Sequence, residues 1–290
     1  MTDDGAIGVI GGSGLYQMDG LEDIERVEVE TPYGAPSDSY VTGRLHGKRM
    51  VFLPRHGVGH KLLPTELNYR ANIWGFKKLG CSRLLSVSAV GSMREEIPPG
   101  DVVLVTQFID WTRHRPLTFL GEGVVGHVAL ADPISVPLHD RLAEVAKALP
   151  DIRVHTHGCY ICIEGPQFST RAESKLYRSW GVDVIGMTNM PEARLAREAE
   201  IAYATMALAT DYDCWKEDEA HVETAAVMEI LKANVEKAQR LVAKYVEGPL
   251  EPLDPVASTA LRTALITPLD AISAEARARL APILEGFAPE

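Results

Sequence analysis

Apolar positions along the chain fall into two recurring patterns. Short continuous runs rich in Val, Ile, Leu and Ala stand at 6–12, 49–54, 83–90, 101–107, 154–163, 182–187 and 201–210. Runs of this length, nearly free of charge, are those of strands buried on both faces. Between several of them apolar residues recur at helical spacing, over 64–78, 137–148, 170–180, 191–200 and 221–246. The alternation predicts an α/β fold: a single domain with a central mixed, largely parallel twisted sheet flanked by helices. The pattern breaks after Glu247, where three prolines fall within Gly248-Pro249-Leu250-Glu251-Pro252-Leu253-Asp254-Pro255. An amphipathic helix over 271–287 follows. The expected organisation is a main domain at 1–247. Residues 248–290 then form a Pro-rich linker and a helical tail that packs on the body or on a neighbouring subunit.

Composition narrows the function. The 290 residues are 46% hydrophobic and 24% charged, ordinary for a globular protein, with a net charge of -11. That charge argues against nonspecific binding of nucleic acid or anionic membranes. Residues 1–5 have neither a basic start nor an apolar core, and no apolar run is long enough to span a bilayer, so a cytoplasmic location is expected. Cys159 and Cys162 lie inside a strand-like run, which favours buried cysteines over a redox or zinc pair. His155 and His157 alternate on one strand without a clear third ligand, so no metal site is expected.

Chemistry concentrates at the ends of the apolar runs. The run 201–210 leads into Asp211-Tyr212-Asp213, and ligands of open α/β sheets gather at the carboxyl ends of strands. Alternation turns Asp211 and Asp213 the same way. Such a pair can accept from an exocyclic amine and hand a proton to a ring nitrogen, and adenine offers both groups; a loop acid capping the next helix is the other reading. Gly11-Gly12-Ser13-Gly14 presents backbone amides and a hydroxyl as an anion cradle, or is a plain tight turn. A dinucleotide fingerprint would need glycine where Gln17 stands. In Arg55-His56-Gly57, Arg55 can grip a phosphate bidentately, His56 adds a donor, and Gly57 lets the backbone close in. The Ser88 hydroxyl and Ala89 amide suit a tetrahedral anion, or are small residues chosen for packing. Phe168 can stack on a flat base or staple the helix starting near Thr170. Met187 offers a soft apolar surface to a sugar and Thr188 a hydroxyl to an anion; a core Met with Thr188 or Asn189 as a helix cap fits equally.

Together these blocks, with Asn68-Tyr69-Arg70-Ala71-Asn72-Ile73-Trp74, Gly91-Ser92-Met93-Arg94-Glu95-Glu96-Ile97, Gln107-Phe108-Ile109-Asp110, Ile163-Glu164-Gly165-Pro166 and Ala209-Thr210-Asp211-Tyr212-Asp213-Cys214-Trp215-Lys216, resemble the 5′-methylthioadenosine phosphorylase family. This family lies in the trimeric branch of the purine nucleoside phosphorylases, and the match spans about residues 7–245. The resemblance implies a nucleoside phosphorylase-like fold. It implies a phosphate site of Ser13, Arg55, His56, Ser88, Ala89 and Thr188, and Met187 against the ribose. Asp211 and Asp213 become the catalytic acids that read adenine, with Phe168, Ser169 and Tyr212 also in the substrate site. Val222, Thr224, Val227 and Met228 match the apolar 5′ pocket, and His127 matches a residue reaching it from the next subunit. The family often has Thr at Ser13 and Ser88, and many members have Val at Thr224.

The implied reaction is phosphorolysis of S-methyl-5′-thioadenosine to adenine and 5-methylthioribose 1-phosphate, a step of purine and methionine salvage. Inorganic phosphate is a co-substrate, and neither cofactor nor metal is implied. The implied assembly is a homotrimer, or a dimer of trimers, with active sites at subunit interfaces. A broader 6-aminopurine or 6-oxopurine nucleoside phosphorylase, acting on adenosine, methylthioinosine or inosine, is the nearest alternative. The 6-oxopurine branch usually has Asn where Asp211 stands. Further alternatives are a nicotinamide-dependent oxidoreductase, which Gln17 disfavours, and a silent nucleotide-binding protein.

Overall fold

The computed structural model describes residues 5–216 and 224–287, with only the backbone of 224–228 and 231. The chain runs β1 (Ala6–Gly11), β2 (Glu22–Val27), β3 (Tyr40–Leu45), β4 (Lys48–Pro54), α1 (Tyr69–Lys78), β5 (Cys81–Ser92), β6 (Val102–Leu104), β7 (Gln107–Trp111), α2 (Val136–Lys147) and β8 (Val154–His155). It continues through β9 (Cys159–Ile163), α3 (Arg171–Ser179), β10 (Val184–Gly186), α4 (Asn189–Glu198), β11 (Ala202–Asp211), α5 (Thr224–Glu247), α6 (Pro255–Ser258) and α7 (Ala274–Arg279).

The uninterrupted apolar runs become central strands. β1 lies parallel to both β4 and β5, and β11 lies parallel to β5. β1 is buried at all six positions, and β11 at nine of its ten. The sheet order is β2-β3-β4-β1-β5-β10-β9-β7, with β11, β6 and β8 branching from β5. It is a mixed sheet: β2–β3, β3–β4, β5–β10 and β6–β11 pair antiparallel, and the other six pairings are parallel. The α/β architecture with a mixed, largely parallel sheet flanked by helices is therefore the one observed.

β5 organises the whole. Its first part runs between β1 and β11, and its end, Gly91-Ser92, pairs antiparallel with β10. A register shift between Ala209 and Asp211 of β11 opposes Val90-Gly91, the local bend expected of a bulge. One long strand thus serves two branches of the sheet and turns its carboxyl end toward both.

Several elements differ from the sequence reading. The run 101–107 contains the short β6, which pairs with β11 and β8, while β7, which pairs with β9, begins only at its last residue and was otherwise not expected. The run 154–163 divides into β8 and β9; a Cβ on the intervening Gly158 would lie 2.6 Å from Val103. The edge hairpin of β2 and β3 was not expected, because β2 is polar and almost wholly exposed. Edge strands carry such charge to resist further pairing. The helix expected from 64 begins only at Tyr69, where the Asn68 side chain accepts from the Ala71 amide. The single helix expected at 271–287 is a short 3-10 turn followed by the six-residue α7.

The segment after Glu247 packs on the body. Leu261, Leu280 and Ile283 are fully buried in the main core, Arg83 pairs with Glu251 at 2.7 Å, and Trp74 Nε1 donates to the Arg279 carbonyl. Among the described residues no helix is long and apolar enough to cross a membrane.

Candidate active site

The carboxyl ends of β1, β4, β5, β10 and β11 surround a cavity of about 420 Å³. Open α/β sheets collect ligands at such strand ends. Ser13, Arg55, His56, Ser88, Ala89, Phe168, Ser169, Met187, Thr188, Asp211 and Asp213 all line it. Two clusters divide it. Hydroxyls gather around Ser88, whose Oγ lies 3.3 Å from Thr188 Oγ1. Carboxylates gather beside Gly91, three residues on along β5, where an added Cβ would lie 3.0 Å from Asp211 Oδ1. At strand rise that is a separation of roughly 10 Å, about the span from an anomeric phosphate to the far edge of a purine.

At the first cluster Arg55 is buried, and its fork is already occupied. Nε donates to Glu192 Oε2 at 2.8 Å and Nη2 to Glu192 Oε1 at 2.9 Å. Nη1 donates to the Val87 carbonyl and Nη2 to Ser86 Oγ. Burial works against the Arg55 charge, but the Glu192 carboxylate more than offsets it and holds the pKa above the usual range. The bidentate grip on phosphate expected of Arg55 is thus not available, because the bidentate partner is Glu192. His56 is corrected too. Its Nδ1 lies 2.8 Å from the Leu62 carbonyl, which can only accept, so the ring proton sits there and Nε2 carries a lone pair. Burial pushes its pKa down to about 4, and the nearby Arg55 charge acts in the same direction. His56 therefore brings an acceptor where a donor was expected. His60, which the sequence reading missed, lines the cavity and stacks on it with ring centroids 4.3 Å apart.

At the second cluster Asp211 ends β11, and its Oδ1 accepts the Asp213 amide at 2.8 Å. Its Oδ2 accepts from Thr210 Oγ1 at 2.7 Å. Strand alternation does not aim Asp213. That residue lies beyond the strand in the left-handed region, φ 51°, and a tight turn brings it back beside Asp211. Burial raises the Asp213 pKa above the ordinary carboxylate value. Tyr212 does not join the site. Its ring packs with Trp215 in a separate apolar cluster with Met93 and Ile161, and its hydroxyl donates to the Glu95 carbonyl, because the turn points it to the opposite side. Phe168 is 69% exposed at the cavity, so it does not staple the helix. Thr170 and Glu173 form a capping box that starts α3 without it.

A buried arginine that the sequence reading also missed ties the walls together. Arg115 donates to the carbonyls of Met187, Met190 and Glu164, and its Nε donates to Glu164 Oε1. It therefore joins the β9–α3 loop to the link holding Met187. Gly165, φ 67°, lets that loop turn against Met187, whose Sδ would lie 2.5 Å from an added Cβ. Val235 of α5 and Leu63 add apolar lining.

His127 lies in a different cavity, with Arg194 and Glu198. Val222 lies outside the described residues, as do the side chains of Thr224, Val227 and Met228. Cys162 is buried on its strand, its pKa pushed up to about 12 by burial. Among the described residues no cluster of three or more His, Cys, Asp or Glu is placed to hold a metal ion.

Residues 6–247 match the model of the phosphorylase superfamily. The S-methyl-5′-thioadenosine phosphorylase of Geobacter sulfurreducens is 57% identical over 282 residues, 97% of this chain and 98% of that one. The chain is a member of the S-methyl-5′-thioadenosine phosphorylase family. A methylthioadenosine phosphorylase from an antarctic soil metagenomic library has a similar structure, with a TM-score of 0.90 and 49% identity over 96% of this chain and 98% of that one. A mutant of the adenosine/methylthioadenosine phosphorylase of Schistosoma mansoni, solved with adenine, gives a TM-score of 0.79 and 36% identity, covering 83% of this chain and 90% of that one. For a member of this family, a cavity with hydroxyls at one end and paired acids at the other has the polarity that a nucleoside and phosphate require.

Proposed function

We propose that the protein cleaves S-methyl-5′-thioadenosine by phosphorolysis, giving adenine and 5-methylthioribose 1-phosphate. The observation that carries this reading is the cavity joining the Ser13, Ser88 and Thr188 hydroxyls to the Asp211–Asp213 pair. The C1′–N9 bond breaks as a phosphate oxygen bonds to C1′, so the bound phosphate is the nucleophile and no covalent enzyme intermediate is needed. The chain's work is positioning and charge stabilisation. Ser13, Ser88, Thr188 and the Ala89 amide hold phosphate, and Met187 lies against the ribose. Asp211 accepts from the 6-amino group. The proton required at N7 is held by the acid pair. Burial raises the pKa of Asp213 and so favours its neutral form.

The 5′ pocket is assigned by resemblance to Val222, Thr224, Val227 and Met228, completed by His127 from a neighbouring subunit of a homotrimer. Thr224 supports a second reading in which adenosine is also accepted, since a hydroxyl in that pocket can meet a 5′-hydroxyl. The Schistosoma mansoni relative is itself described as an adenosine/methylthioadenosine phosphorylase. Phosphorus NMR of the reaction mixture tests the chemistry. A sugar 1-phosphate resonance growing in step with free adenine is expected; adenine with unchanged inorganic phosphate would make the protein a hydrolase.

A further inference from the structure

Among the described residues the basic side chains lining the cavity are Arg55, His56 and His60, and the acidic ones are Asp211 and Asp213. His56 is neutral near physiological pH. Arg55 is the arginine lining the cavity among the described residues, and four of its five N–H groups are spent within the protein, two on Glu192, one on Ser86 and one on Val87. One Nη1–H remains. Glu192 is 1% exposed and accepts from two further donors, Ser86 Oγ and Tyr203 OH, each at 2.8 Å. Four donors around one carboxylate fix its position. The guanidinium charge is therefore cancelled beside the cavity, in a chain whose net charge is already -11.

We propose that Glu192 is a positioning residue for phosphate: it clamps and neutralises Arg55, so that phosphate is held by neutral donors together with the one remaining Arg55 N–H. This rests on the reading that phosphate is the attacking co-substrate. An uncompensated arginine would hold phosphate and sugar 1-phosphate more tightly, but equally in ground and transition states, and such binding does not speed the chemical step. A neutral, fixed donor set gives orientation without that penalty. Glu192 contacts Arg55 and not the cavity, so it acts through the arginine.

Steady-state kinetics with phosphate varied over a range of KCl concentrations tests this in the wild type, Glu192→Gln, Glu192→Asp and Tyr203→Phe. In the wild type the phosphate KM is expected to change less than about threefold with salt, since the Arg55 charge is already compensated by Glu192. In Glu192→Gln kcat falls by at least about tenfold, the nucleoside KM stays within about twofold, and the phosphate KM becomes steeply salt-dependent. Glu192→Asp recovers part of kcat, and Tyr203→Phe, which removes one donor to the carboxylate, moves the same parameters by a smaller amount. If Glu192→Gln does not fold, the wild-type salt profile and Tyr203→Phe decide. A steep wild-type salt dependence overturns the proposal. So do Glu192 variants with unchanged kcat and salt profile, or a nucleoside KM that moves as far as that of phosphate. Phosphate-dependent base release with any of these results removes the proposal alone, whereas no phosphate-dependent release removes the reading of the reaction with it.

Discussion

Asp211 and Asp213 are two residues apart in sequence yet differ in surroundings. Asp211 is fixed by the Asp213 amide and the Thr210 hydroxyl, and Asp213 sits in a buried turn that raises its pKa above the ordinary carboxylate value. That asymmetry suits a base with an amine to donate and a ring nitrogen to be protonated. Replacing Asp211 with Asn exchanges an acceptor for a group that also donates. Asp211→Asn is expected to lower kcat/KM on methylthioadenosine by about two orders of magnitude or more, and on methylthioinosine by far less. Equal loss on both substrates would remove Asp211 as the reader of the 6-amino group. The residues of both clusters were legible in sequence because each stands at the end of an apolar run. Their partners were not. Glu192 lies 137 positions from Arg55, and nothing local marks it as more than a helix-start acid. The roles of Arg55 and His56 changed once Glu192 and the Leu62 carbonyl were in place.

At the scale of elements, legibility followed burial. β1, β4, β5 and β11 are mostly buried because neighbours cover both faces, and they were found close to their true limits. β2 has no such signal because it lies at an edge and faces solvent. β6 lay within its expected run, but β7 was not expected beyond its first residue, because it is only half-buried or exposed and shows no buried apolar run. The loop carrying Phe168 and Ser169 enters α3 through the Thr170–Glu173 capping box, whose hydrogen bonds are exposed. Thr170→Ala is expected to destabilise the protein by about 1 kcal/mol in urea unfolding. It should raise the nucleoside KM while leaving the phosphate KM unchanged. An effect on phosphate alone would contradict the placing of this loop at the base end.

Across the whole molecule, the fold brings strand ends from widely separated parts of the chain to one cavity, and β5 spans its two clusters. The segment after Glu247 reinforces the body, with Leu261, Leu280 and Ile283 in the main core. Its Pro-broken entry was readable, but its continuous helix was not formed, because the apolar residues there answer to the surface they cover rather than to one helical face. The chemistry proposed for this cavity is transfer of a 5′-substituted ribosyl group from adenine to phosphate. The most direct test mixes the protein with methylthioadenosine, adenosine and methylthioinosine, each with and without phosphate, and measures the free base. Adenine released only with phosphate, and fastest from methylthioadenosine, is the predicted result; hypoxanthine without adenine, or release that does not need phosphate, would contradict it.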